Sequence, residues 1–322
     1  MIPRSRPLRR PVVCREVVLL TAVFLGIFIL TTGALSCAAA TWPTVTHCRD
    51  LQSAILGRPV NYCVDLPANY AAAAPERYPV LYFLHGLFEH DTAWIDHGGK
   101  DVLDKMLQDG RLGPFIVVLP DADNTFYVNS YDGKVRYEDF FIQELVPYID
   151  RHYRTIPTRR ARGISGVSMG GYGALHLAML HPNVFGSVSA QGAALIPKFP
   201  HPVPTQGRWG FYARVLQHAF GSPLSETYWD ANNPLTLAEH PSRFKGLKIY
   251  FDCGNHDRYG FEVGAEMLNR ILNDRHFPHQ FYLREGDHGW PYLQKYLQYA
   301  LLFHWKYFQR AEHEYAAKKG GQ

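Results

Sequence analysis

Short runs of mostly apolar residues at 78–84, 115–119, 162–166, 186–191, 247–252 and 279–283 alternate with stretches whose apolar residues recur at i, i+3 and i+4, at 101–108, 138–153, 170–181, 262–274 and 292–312. Runs apolar on both faces suit strands covered on both sides, and strands joined by helices lie parallel. The alternation therefore predicts one α/β domain over residues 41–315, a doubly wound and mostly parallel sheet. With 47% hydrophobic residues among 322, the chain has enough apolar material to cover such a sheet. Ahead of the alternation, residues 45–53 and 58–67 flank a four-residue loop and read as an N-terminal antiparallel hairpin. In that hairpin Cys48 faces Cys63, which predicts a disulfide; Cys253 remains as a buried structural thiol.

The first 40 residues stand apart. Arg4, Arg6, Arg9, Arg10 and Arg15 precede an uncharged run from Val17 to Ser36, followed by Cys37-Ala38-Ala39-Ala40. This is the layout of a signal peptide cleaved after Ala40, or of an uncleaved membrane anchor with its arginines held inside. Either reading exports the remainder, periplasmic or secreted, into an oxidising space. The net charge of +4 also originates here. Without these five arginines and Glu16, the rest of the chain carries 28 basic and 28 acidic side chains, so the cationic excess of a nucleic-acid binder is missing.

Residues 192–241 break the alternation with seven prolines and a cluster of aromatic residues. They read as an irregular excursion over the site with one short helix at 210–219. Residues 316–322 read as a flexible tail.

The sharpest local signal is Gly166-Val167-Ser168-Met169-Gly170, set between a strand and a helix. A serine on so tight a turn is lifted off the sheet in a strained conformation, and the flanking glycines let strand and helix approach. The amide of Met169, at the helix start, then points at a developing oxyanion. A serine hydroxyl needs a base, and the base an orienting acid, in the order Ser, Asp or Glu, His for this architecture. The run 247–251 leads into Asp252-Cys253-Gly254-Asn255-His256-Asp257. Asp257, past the glycine turn, is the expected acid, while Asp252 at the strand end is structural. Among the later histidines only His288 sits in the loop that follows the last strand, Glu285-Gly286-Asp287-His288-Gly289-Trp290, with Trp290 placed to pack on its ring; His304 and His313 lie on or past the closing helix. The loop His85-Gly86-Leu87-Phe88-Glu89-His90 supplies a second oxyanion donor, the amide of Leu87, with His85 holding the loop. Asn124, Tyr127 and Asn129, in a loop at another carboxyl strand end, are expected to touch substrate, as is Trp290. No P-loop, dinucleotide fingerprint, C-x-x-C or H-E-x-x-H occurs, so no cofactor and no metal are predicted.

Assembled, these residues resemble the serine esterase family of the α/β-hydrolase fold that includes feruloyl and acetylxylan esterases, S-formylglutathione hydrolases and mycolyltransferases. The resemblance covers most of residues 43–310 and rests on His85-Gly86, on the segment from Gly166 to Ala174, on Cys253-Gly254-Asn255 with Asp257, and on His288 with Trp290. It implies an exported carboxylic ester hydrolase working through Ser168, Asp257 and His288 on a small-molecule or carbohydrate ester. Export speaks against the cytosolic S-formylglutathione hydrolases, and Asp257 departs from the glutamate of mycolyltransferases. An acyltransferase and a non-catalytic binding domain on the same fold are the alternatives.

Overall fold

A computed structural model describes residues 43–70, 75–199 and 206–320; the segment expected to be a signal peptide or anchor, with Cys14 and Cys37, lies outside them. Among the described residues the strands are β1 (Val45–Ser53), β2 (Arg58–Leu66), β3 (Val80–Leu84), β4 (Ile116–Pro120), β5 (Arg162–Val167), β6 (Ser187–Gln191), β7 (Lys248–Gly254) and β8 (His279–Arg284). They form an eight-stranded sheet in the order β1-β2-β4-β3-β5-β6-β7-β8. From β4 to β8 all pairings are parallel, and the N-terminal hairpin joins antiparallel through β2. The register sets Cys48 opposite Cys63, and the two form the expected disulfide.

The helices are α1 (Ala93–Asp96), α2 (Gly99–Gln108), α3 (Tyr137–Phe140), α4 (Val146–His152), α5 (Met169–Leu180), α6 (Gly207–Phe220), α7 (Glu226–Asn232), α8 (Pro234–Ala238), α9 (Phe261–Asp274) and α10 (Trp290–Gly320). Side chains alternate across β3 as strand geometry requires. Val80, Tyr82 and Leu84 face the core built on α5 and α9, whereas Leu81 and Phe83 face a second core built on α2 and α10. Covered on both sides, β3, β4, β5 and β6 are buried along their whole length, whereas β8, at the edge, is partly exposed. Helix α5 runs through the first core and buries every residue but Leu180, which explains its lack of a polar face.

Several boundaries differ from expectation for local reasons. Tyr78 forms only an isolated bridge to Thr155, because Pro79 has no N–H for the ladder. The helix expected at 138–153 is interrupted by a π-helical turn, Phe141–Leu145, whose Glu144 accepts bonds from Ser53 Oγ and the amides of Ala54 and Ile55 at the hairpin tip. The region expected to be irregular with one helix holds three helices and a 3₁₀ turn, Pro241–Phe244. The extra helices begin at Ser225 and Asn233, whose side chains cap the amides of Tyr228 and Leu235; proline follows Asn233 at the first helical position. Helix α10 continues to Gly320, so 316–320 is helical rather than a loose tail; no proline or glycine interrupts the chain before Gly320. Among the described residues no helix is long and apolar enough to cross a membrane.

Candidate active site

Ser168 stands between β5 and α5 with φ 56° and ψ −117°, a conformation rare for a residue with a side chain. The backbone on both sides enforces it. The Ser168 amide donates to the Gln191 carbonyl at 3.0 Å, and its own carbonyl accepts from the amides of Tyr172 and Ala194, each at 3.0 Å. The glycines make the turn sterically possible. A Cβ on Gly166 would lie 2.2 Å from the Gly170 carbonyl oxygen, and one on Gly170 would lie 2.0 Å from that of Leu84. Ser168 occupies the N-cap position of α5, yet its side chain makes no capping bond and instead borders a cavity of about 250 Å³. The simple capping role is therefore not what holds a serine there.

The same cavity is bordered by His288. Its Nδ1 lies 2.7 Å from Asp257 Oδ2, and both side chains are nearly or fully buried. A carboxylate only accepts, so this contact puts the ring proton on Nδ1 and leaves Nε2 with a free lone pair. The other Asp257 oxygen accepts from the Tyr259 amide at 2.9 Å, and the Cys253 thiol approaches Oδ2 at 3.6 Å. That carboxylate, together with burial, pushes the Cys253 thiol far above its ordinary value; burial is the larger cause, and the group stays a neutral thiol. His288 meets Tyr259 and Phe261 edge-on, at 4.8 and 5.4 Å between centroids. Trp290 does not pack on it. It stacks on His97 at 4.9 Å, because α10 starts at Trp290 and carries the indole away from the histidine.

Asp252, five residues before Asp257, sits in a different environment. It is buried at the end of β7, accepts from the hydroxyls of Tyr250 at 2.6 Å and Tyr292 at 2.9 Å, and reaches no histidine. Burial pushes its carboxyl up to about 6, more than these donors and Arg284 pull it down. His85 holds its loop, with Nδ1 at 2.8 Å from the Gly86 carbonyl and Nε2 accepting from the Ala122 amide at 2.9 Å. His304, fully buried between Ser187 and Ser189, is pushed down to about 3 by burial and stays neutral.

Leu87 and Met169 both border the cavity, and among the described residues neither amide meets a hydrogen-bond acceptor. The loop of Leu87 is held by the next amide, Phe88, which donates to Asn124 Oδ1 at 2.9 Å. Asn124 does not itself line the cavity. Tyr127 is fully buried with its hydroxyl on the His85 carbonyl, and Asn129 accepts from the Asp139 amide and from the Tyr228 hydroxyl. None of these three, expected to touch substrate, is among the residues lining the cavity; the oxygens of Asn124 and Asn129 and the Tyr127 hydroxyl bond to the surrounding loops. Phe126, between them in sequence, lines the cavity instead, held at φ 54°. Trp290 also lines it. The far wall is aromatic and aliphatic, formed by Ile196, Phe211, Tyr212, Val215 and Leu216. At the rim Arg258 pairs with Asp287 at 2.5 Å, tying the Asp257 loop to the His288 loop and holding the Asp287 carboxyl down at about 2.

A strained serine, a buried carboxylate–imidazole pair and two unpartnered amides around one cavity can bring together an acyl carbonyl, a nucleophile and an oxyanion site. Residues 53–304 match the family described as "Putative esterase". The chain belongs to this esterase family. It is 37% identical over 131 residues to an endo-1,4-β-xylanase/feruloyl esterase of Xylanibacter ruminicola, covering 38% of this chain and 18% of that one. It is 32% identical over 217 residues to an esterase of Mycobacterium tuberculosis, covering 63% and 44%. The chain thus spans less than half the length of these curated relatives. Among solved structures, a ferulic acid esterase superposes with a TM-score of 0.70 at 28% identity, over 82% of this chain and 98% of that chain. An S-formylglutathione hydrolase from Agrobacterium tumefaciens shares the fold, with a TM-score of 0.65 at 20% identity over 82% and 96%.

Proposed function

We propose that this protein is an exported serine hydrolase of carboxylic esters. The reading is carried by one observation: His288 Nδ1 is held by the buried Asp257 carboxylate at 2.7 Å, in the cavity that Ser168 enters with an uncommitted hydroxyl. In this mechanism Ser168 Oγ attacks the ester carbonyl while His288 Nε2 takes its proton. The amides of Leu87 and Met169 receive the oxyanion. The carbonyl re-forms as the alcohol leaves with the proton from His288, and a water, deprotonated by the same nitrogen, then cleaves the acyl-enzyme. Asp257 holds the ring in this orientation and stabilises the imidazolium.

The aromatic wall suits a flat aromatic acyl group, and relatives named for feruloyl esters make hydroxycinnamoyl esters of carbohydrates the first substrates to test. The Cys48–Cys63 disulfide supports an oxidising location. The test is a panel of esters of graded acyl length, with feruloylated and acetylated sugars, assayed for acid and alcohol release in millimolar sugar or glycerol. Equal release of acid and alcohol is expected. Acylated acceptor as the main product, with free acid falling in proportion, would replace hydrolysis by acyl transfer.

A further inference from the structure

Glu89 and Trp290 are 201 positions apart in sequence and meet at the cavity wall. One carboxylate oxygen of Glu89, Oε2, accepts from the Gly86 amide at 2.7 Å, and the other, Oε1, accepts from the Trp290 indole N–H at 2.5 Å. Gly86 immediately precedes Leu87, whose amide is the proposed oxyanion donor. Trp290 is two residues beyond His288, across Gly289, and opens α10. A single side chain therefore ties the loop after β3 to the loop after β8.

The location is electrostatically adverse. A Cβ built on Gly86 would lie 3.0 Å from Glu89 Oε2 and 3.7 Å from Ser168 Cβ, so the carboxylate and the serine adjoin the same point of the chain. Among the described residues no lysine or arginine pairs with Glu89; its donors are neutral N–H groups. A fixed negative charge beside a developing oxyanion opposes the reaction, so its contribution must come from geometry. We propose that Glu89 is a positioning residue for ester cleavage, clamping the Leu87 amide and the His288 loop in one reactive arrangement. The inference rests on the reading of Ser168, His288 and Leu87 given above.

The test compares kcat and KM for a neutral ester in the wild type, Glu89→Ala, Glu89→Gln, Trp290→Phe and the Glu89→Gln/Trp290→Phe double variant, well below each melting temperature, with Ser168→Ala as control. Because small displacements of reacting groups cost up to about a hundredfold, Glu89→Ala should lower kcat by roughly 10- to 100-fold with KM changing less than about threefold. Glu89→Gln keeps the size but turns one acceptor into a donor, so it should also be slower than the wild type. Its loss combined with that of Trp290→Phe should be less than multiplicative, since both break one contact. If Glu89→Ala does not fold, the near-isosteric Glu89→Gln carries the test. A Glu89→Gln enzyme as fast as or faster than the wild type, a loss confined to KM, or fully multiplicative losses would each overturn the clamp while leaving the Ser168 assignment intact. Wild-type turnover that survives Ser168→Ala would overturn the underlying reading, and the clamp with it.

Discussion

The two walls of the cavity are built by different means. The wall carrying Ser168, Leu87 and His288, with Asp257 bonded to His288 Nδ1, consists of short loops at the carboxyl ends of strands, fixed by the sheet and by backbone bonds such as Ser168 to Gln191. The opposite wall belongs to α6, outside the sheet, and reaches the first through the Tyr212 hydroxyl, which donates to the Tyr259 carbonyl. Chemistry that needs reacting groups held within fractions of an ångström belongs on the first wall, and selectivity, which tolerates adjustment, on the second. Substitutions on the first wall should therefore act on kcat, and those on the second on KM.

Ser168→Ala is expected to have the largest effect, a loss of turnover on the order of a thousandfold or more in a folded protein, because nucleophile, base and acid act as a unit. An active Ser168→Ala protein would dissolve the distinction between the walls. Asp257→Asn follows, with a loss on the order of a hundredfold or more, smaller than that for the nucleophile because the orienting acid alone contributes less.

Asp252→Asn separates the two aspartates. Its turnover should stay within about tenfold of the wild type, since the buried carboxylate touches tyrosines and not the base. Its signature is in stability. The folded carboxyl titrates near 6 against an ordinary 3.8, so the stability it contributes is fully present below 3.8 and is lost as pH rises through about 6. The melting temperature of Asp252→Asn relative to the wild type should climb between pH 4 and 7. A difference that does not vary with pH would contradict this.

Much of the first wall was legible because each part has a local signature: a glycine-flanked serine between strand and helix, a carboxylate past a strand-end glycine, a histidine in the loop after the last strand. The two-faced apolar strands likewise gave boundaries within about two residues. The second wall was obscure because α7 and α8 are short, proline-bracketed helices whose start signals, Ser225 and Asn233, look like ordinary loop residues. That Asn124, Tyr127 and Asn129 do not line the cavity was not legible, because position at a strand end does not say which way a loop turns. The contact of Glu89 with Trp290 leaves no local trace at all, since its partners are brought together only when the sheet is assembled.

The disulfide sits at the hairpin edge of the sheet, where Cys63 Sγ lies 3.3 Å from Asp91 Oδ2 in the loop after β3. Replacing Cys48 and Cys63 with alanine should cost about 3 kcal/mol of stability through the loop of roughly 15 residues it closes, with kcat and KM preserved. Denaturant unfolding checks the first part; a fall in kcat would show that the hairpin supports the site. The smallest effect is expected for Phe211→Ala on the second wall. Partial loss of aromatic contact on the order of 1 kcal/mol should raise KM about fivefold for an aromatic acyl ester, with kcat within about twofold. An equal rise for an acetyl ester would place the acyl group elsewhere.

The central claim is that Ser168 is the nucleophile, made reactive by His288 and Asp257. Its most direct measurement is peptide mapping by mass spectrometry after treatment with a fluorophosphonate, which phosphonylates an activated serine with loss of fluoride. One label per chain is expected, on the peptide carrying Gly166-Val167-Ser168-Met169-Gly170, with ester turnover falling in step and labelling much slower in His288→Ala. Full ester turnover in a preparation labelled at another residue, or left unlabelled, would contradict the account.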